Sequence, residues 1–349
     1  MRLPLVPAAR AVLAIPVPPA TAGEPLVLER IDAGTVELKR DTATPAAIWV
    51  SADTALDAAD RKIAARSAAR SLRIELPAGE RAYVIVEEAG GPRRVVAERR
   101  LPLEQGSNFR DIGGYETRDG RVVRWGRVYR SGAMPLLTDA DYRLIGSLGL
   151  DSVVDLRSLE ERSIAPNMVD DRTGALFLAN DYSLKPLFER LSEGQGENMY
   201  RGMDELLAPQ YRALVRRILA GEGAVLYHCS AGQDRTGIAT ALLYDALGVD
   251  RETILKDYHL STRWRQPEWE MPEIDPANYP GNPIVQYYTS LGKGERHKPE
   301  PLFAPSGESH LAQFFTYVDQ RYGGAEAYIK NPPGFFASAN QKMRETMLD

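Results

Sequence analysis

Residues 224–237 read Ala224-Val225-Leu226-Tyr227-His228-Cys229-Ser230-Ala231-Gly232-Gln233-Asp234-Arg235-Thr236-Gly237 and run directly into the apolar segment Ile238 to Leu247. Ala224 to His228 has the length and continuity of a buried strand, and the segment after Gly237 has helical length. A strand therefore delivers the chain into a tight loop that opens into a helix. Successive backbone N–H groups in such a loop converge on one point, and the helix N-terminus adds partial positive charge. Together they form a nest for an oxyanion such as phosphate, cradled by the backbone of Ser230, Ala231, Gly232, Gln233 and Asp234. Gly232 and Gly237 suit the tight turn and close packing. Cys229 stands at the base of the nest, where donors that hold an anion also favour a thiolate; thiols at helix N-termini beside cations titrate at roughly 3.5 to 7.5 instead of about 8.5. Arg235 is placed to return across the loop and hold two oxygens with its planar fork. Thr236 is expected to hydrogen-bond the sulfur, and His228 to support the loop, since a preformed thiolate needs no base. The competing reading of Cys229 is a small buried hydrophobe; the His-Cys-x5-Arg-Thr-Gly spacing between strand and helix argues against it.

Working outward, the rhythm after residue 104 is of strands alternating with longer helical segments, which predicts an α/β layer with a largely parallel sheet. Leu150 to Leu156, Ala175 to Ala179 and Ala224 to His228 read as short buried strands, and helices are expected at 138–148, 203–220, 234–247 and 250–261. The Pro-, Gly- and Trp-rich stretch 264–306 reads as irregular, and the tail from Ser309 to Leu348 as helical with a break at Asn331-Pro332-Pro333-Gly334. Before residue 104 the pattern differs. Short alternating runs at 26–31, 35–38, 47–51, 71–76, 81–86 and 94–99, separated by turn residues, predict a small β-sandwich domain over 23–103. The alanine-rich segment 54–70 is expected to be a loop or short helix.

Composition narrows the function classes. The chain has 349 residues, 44% of them hydrophobic, and a formal net charge of −5, so two domains of an ordinary folded protein are expected and nothing attracts nucleic acid. A single cysteine excludes an internal disulfide and a multi-cysteine zinc site. His228, His259, His297 and His310 lack the spacing of a zinc-binding helix, so no metal and no cofactor are expected. No run is long enough for a transmembrane segment. Residues 1–22 admit two readings. Arg2 and Arg10, the apolar stretch Ala11 to Val17 and Ala20-Thr21-Ala22 resemble a signal peptide, giving an exported or periplasmic protein; Arg10 and the interspersed prolines suit a disordered N-terminus on a cytoplasmic one.

The decapeptide His228 to Gly237 resembles the signature of cysteine-based phosphatases, and in particular the bacterial tyrosine-protein phosphatase family that includes secreted mycobacterial and listerial tyrosine and lipid phosphatases. Asn108-Phe109-Arg110-Asp111-Ile112-Gly113-Gly114-Tyr115, Tyr129-Arg130-Ser131-Gly132 and Asp155-Leu156-Arg157-Ser158 agree with that family in order and spacing. The resemblance is strong over 105–262, weaker over 309–349 and absent over 23–103. It implies a protein-tyrosine-phosphatase-like parallel sheet flanked by helices over 104–349. The activity it implies is phosphomonoester hydrolysis through a phosphocysteine intermediate, with phosphorylated proteins or small phosphomonoesters as substrates. Asp155 and Arg157 close one expected strand as Cys229 follows another, and α/β sheets gather ligand sites along that edge. A static charge network would place Arg110, Asp111, Asp155 and Arg157 equally well.

A leaving alkoxide needs a proton donor. The chain has no Trp-Pro-Asp loop. The resemblance implies Asp234 as general acid, with Asp181 the alternative; Asp234 would also suit a helix first turn through the dipole alone. Lipid-active relatives carry lysine where Gln233 stands, which implies phosphotyrosine in preference to polyphosphoinositides. Phosphoinositides or inositol phosphates are the alternative substrates, and a catalytically silent phosphate-binding module is the alternative class.

Overall fold

The computed structural model describes residues 26–76, 79–184, 200–290, 299, 301–330 and 337–349. Seven strands come first: β1 (Leu26–Asp32), β2 (Thr35–Arg40), β3 (Ala46–Ser51), β4 (Arg61–Ser67), β5 (Ser71–Glu75), β6 (Tyr83–Glu88) and β7 (Arg93–Ala97). They form two antiparallel sheets, ordered β1-β2-β5 and β4-β3-β6-β7. Alternation places them: on β2, Val36, Leu38 and Arg40 are buried while the residues between face outward. Leu28, Val36 and Leu38 of one sheet share a single apolar cluster with Ile48, Val84, Val86 and Val96 of the other. Arg40 lies among them because its guanidinium is spent on the Ser67 and Ala69 carbonyls and the Glu88 carboxylate.

Within 54–70, residues 61–67 are a strand where a loop or short helix was expected. Alanine-rich Arg61–Ser67 pairs antiparallel with β3, and that edge pairing overrides alanine's weak strand preference.

The third sheet is ordered β11-β10-β12-β9-β8, with β8 (Arg110–Asp111), β9 (Val128–Ser131), β10 (Leu150–Asp155), β11 (Leu176–Ala179) and β12 (Ala224–His228). β9 through β11 run parallel, and only β8 is antiparallel to its neighbour. Helices cover both faces, so β12 is buried at every position. Its side chains alternate between two cores. Val225 and Tyr227 pack with Ile238 and Leu242 on one face; Ala224 and Leu226 pack with Leu144 and Val153 on the other.

Helices span Asp139–Gly146, Leu159–Ile164, Val169–Thr173, Met203–Leu206, Ala208–Ala220, Asp234–Leu247, Arg251–Trp264, Pro283–Ser290, His310–Tyr322, Ala325–Lys330 and Ala337–Met347. Pro283–Ser290 lies inside the stretch read as irregular. The expected break at 331–334 and the segment 1–22 fall outside the described residues. Among the described residues no helix is long and apolar enough to cross a membrane, and no cluster of His, Cys, Asp and Glu could hold a metal ion.

Candidate active site

Cys229 follows β12 directly, 1% exposed, on the face begun by Val225 and Tyr227. The loop after it is shaped from outside. The Ser230 carbonyl accepts from the Ala133 N–H at 2.7 Å. Asn108 Nδ2 donates to the Ala231 carbonyl at 3.1 Å and to the Gly232 carbonyl at 2.8 Å, and Arg130 Nη2 reaches the latter at 2.7 Å. A trans peptide points its N–H opposite its C=O, so the N–H groups of Ala231, Gly232 and Gln233 turn away from these partners. Gly232 has φ +65°, and a Cβ there would lie 2.7 Å from the Ser131 and Gly132 backbone, so no other residue fits.

Beneath the loop Arg110 and Arg130 share the buried carboxylate of Asp257, each at 3.3 Å, and Arg110 also bonds Asn108 and Ser261. Burial works to raise the Asp257 carboxyl, but the two guanidiniums outweigh it and hold it below the usual range. Arg110 is thus a support of the loop, acting through Asn108. Asp111 is not. Its carboxylate accepts from the Gly113 and Gly126 N–H groups at 2.8 Å and pairs with Arg81 at 2.6 Å, so it joins the third sheet to the residues leading into β6.

Asp155 and Arg157 form a closed, fully buried pair: Nη2 meets Oδ2 at 2.7 Å and Nε meets Oδ1 at 3.0 Å, while Nη1 donates to the Ala165 carbonyl. The arginine is therefore turned to its own carboxylate and not to the loop. His228 Nδ1 faces the Cys229 carbonyl at 3.2 Å. A carbonyl only accepts, so Nδ1 carries the proton and Nε2 takes the Asn167 amide at 2.9 Å. Burial brings the imidazole down to about 4, against the pull of Asp155, so His228 is neutral at pH 7 and holds the loop's first carbonyl.

Arg235 is positioned by a residue that sequence reasoning missed. Glu161 receives Nη1 and Nη2 at 2.6 Å each, and Nη1 also donates to the Tyr182 hydroxyl at 2.9 Å. Ser230 Oγ donates to Glu161 Oε1 at 2.5 Å. Burial would raise the Glu161 carboxyl, but Arg235 outweighs it and brings it down to about 2. With Glu161 and Tyr182 on the far end of the guanidinium, its side edge, Nε with the second N–H of Nη2, is engaged by no described residue. That edge suits two phosphate oxygens. The signal for Glu161 was Ser158-x-x-Glu161, a capping box that the structure bears out, with the Ser158 N–H on Glu161 Oε2 at 2.9 Å.

Asp234 opens the Asp234–Leu247 helix beside Arg235 and accepts the Tyr200 hydroxyl at 2.6 Å; Tyr200 in turn meets the Tyr258 hydroxyl at 2.5 Å. One phenol has one proton, so Tyr258 donates to Tyr200 and Tyr200 to the carboxylate. Asp181, by contrast, is exposed and pairs with Arg162, and no contact joins it to the loop among the described residues. The Thr236 hydroxyl is buried with no hydrogen-bond partner among the described residues, so the expected bond to sulfur is not formed. Gln233 is only 2% exposed, and its Oε1 accepts from Arg265 Nη1 at 2.7 Å, which anchors the side chain inside the protein.

A thiol and an arginine bracketing a backbone nest at the C-terminal edge of a parallel sheet define a cysteine-based, phosphate-handling class of enzyme. The tyrosine phosphatase family profile matches residues 101–349. A putative tyrosine-protein phosphatase of Cupriavidus necator is 37% identical over 186 residues, covering 51% of this chain and 68% of that protein. A tyrosine-protein phosphatase of Nostoc commune is 29% identical (58% and 68% covered), and the triple specificity protein phosphatase PtpB of Mycobacterium tuberculosis is 31% identical (47% and 68%). The chain belongs to the tyrosine phosphatase family.

Proposed function

We propose that this chain hydrolyses phosphotyrosine on proteins, with Cys229 as nucleophile, Arg235 as phosphate clamp and Asp234 as general acid. The observation that carries the reading is the loop itself: its three carbonyls are held outward, a buried thiol lies at its start, and Arg235 keeps one edge open. The Cys229 thiolate attacks phosphorus while Asp234 protonates the departing phenolic oxygen, leaving phosphocysteine and free tyrosine. Water then attacks the phosphocysteine, Asp234 takes its proton, and inorganic phosphate and the thiolate are released. The N–H groups and Arg235 hold the equatorial oxygens throughout, where their orientation counts most. Asp234 is preferred over Asp181 because its carboxylate lies on the loop under a hydrogen bond.

The test is hydrolysis of p-nitrophenyl phosphate and a phosphotyrosine peptide by wild type and Cys229→Ser. The variant should lose roughly ten-thousand-fold or more in turnover and still bind vanadate; retained turnover overturns the assignment. The same reading divides the chain into a β-sandwich domain over 23–103 and a phosphatase domain over 104–349. The shared apolar cluster of the two antiparallel sheets and the start of the family match at 101 support it.

A further inference from the structure

We propose that Glu270 sets the substrate class of this site by occupying Arg265 at the edge of the phosphate loop, restricting the enzyme to substrates with a single phosphate there. The proposal rests on the reading of the loop as the phosphoryl site.

Arg265 caps the Arg251–Trp264 helix beside the loop's last residue, with Nη1 on Gln233 Oε1. Its charge acts on Asp234, and the phenol of Tyr288 feels Arg265, Glu270 and Glu161 together. The adjacent Trp264 carbonyl accepts from the Asn108 N–H at 3.0 Å, and Asn108 holds the loop carbonyls, so the Arg265–Glu270 pair borders the loop that carries Arg235. The two arginines are wired differently. Glu161 takes the end of Arg235 and leaves its side edge open. Glu270 takes the side edge of Arg265: Nε donates to Oε1 and Oε2 at 3.0 Å and Nη2 to Oε2 at 2.9 Å. Glu270 is fixed in turn. It is 3% exposed, and Oε1 accepts the Ser107 hydroxyl at 2.7 Å while Ser107 accepts the Gln266 N–H at 2.9 Å.

The rim thus carries an arginine whose clamping edge is filled and whose charge is matched by a carboxylate in contact. At the main site the loop N–H groups and a helix N-terminus add donors beside Arg235, whereas Arg265 stands at the C-terminal cap of its helix. A second phosphate approaching Arg265 meets Glu270 as well and gains no charge-assisted clamp.

The experiment compares kcat/KM on a phosphotyrosine peptide and on a soluble phosphatidylinositol bisphosphate for wild type, Glu270→Gln, Arg265→Gln and the double variant. Gln at 270 can still accept from Ser107. Glu270→Gln should raise the bisphosphate-to-phosphotyrosine ratio about ten- to a hundredfold, the value of a charge-assisted bond, chiefly through KM. The double variant should return the ratio to within about twofold of the wild-type value, and Arg265→Gln alone, which leaves the Glu270 carboxylate unpaired at the rim, should lower it. An unchanged ratio in folded Glu270→Gln overturns the proposal. So does a selective loss on the bisphosphate in the double variant, which would mean Arg265 already captures a second phosphate; that variant decides the matter if Glu270→Gln fails to fold. p-Nitrophenyl phosphate separates the two readings. Wild type inert on it overturns the phosphatase reading and this proposal with it, whereas Cys229-dependent turnover with an unmoved ratio overturns only the role of Glu270.

Discussion

At the scale of single residues the proposed chemistry turns on the pair of Arg235 and Glu161. Freed of Glu161, the guanidinium keeps its charge but loses its direction, and misplacement of a reacting group by about an ångström costs on the order of a hundredfold. Glu161→Gln should therefore lower kcat/KM on p-nitrophenyl phosphate by about that factor while Cys229 remains alkylatable. Steady-state kinetics beside iodoacetate labelling checks this, and a loss below about threefold would mean the loop alone orients Arg235. Tyr200 acts one step further out. Tyr200→Phe removes the hydrogen bond to Asp234 without touching the loop, so hydrolysis of alkyl phosphates should slow about tenfold while p-nitrophenol, which departs with little protonation, is released almost as before. An equal loss on both leaving groups would make Tyr200 a packing residue only.

At the scale of elements, the strand–loop–helix unit was legible because each of its parts carries its own signal: a continuous apolar run, a required glycine, and helical length after it. Glu161 was not read as a site residue, because a capping box also serves its own helix and nothing in Ser158-x-x-Glu161 says which cation it will meet. Gln233 is the opposite case. A loop position suggests access to substrate, yet packing against Arg265 turned the side chain inward. Strand β4 was missed because its alanines have no strand preference of their own.

The end of β12 also makes a pH prediction. His228 titrates near 4 folded, against 6.5 unfolded, so the unfolded chain takes up a proton first as pH falls. Its contribution is intact above about pH 6.5 and is lost on the way down to about 4, amounting to about 2 kcal/mol by pH 5. Urea unfolding at pH 7 and pH 5 should show that loss in wild type, reduced by about that amount in His228→Gln. Equal pH dependence in the two proteins would contradict it.

Over the whole molecule, the N-terminal sheets meet the phosphatase part through Arg81, which pairs with Asp111 and faces the rings of Tyr83, Trp125 and Tyr129. Trp125 itself belongs to the apolar cluster of the two sheets. The change of rhythm near residue 104 foretold the passage from antiparallel sheets to a largely parallel one, but this joint was not legible, since one arginine among many carries no sign of its distant partner. Arg81→Met leaves a buried carboxylate unpaired and should cost about 3–5 kcal/mol in urea unfolding, with Arg81→Met/Asp111→Asn recovering part of it. A single variant as stable as wild type would show that the joint is held by the rings alone.

The central claim is that phosphate passes through the sulfur of Cys229, and the measurement that reaches it most directly is acid quenching during turnover of a phosphotyrosine peptide, followed by peptide mass spectrometry. The account predicts a phosphoryl group on the peptide carrying Cys229 in wild type and none in Cys229→Ser. A phosphoryl group on any other residue, or steady turnover with Cys229 never modified, would contradict it.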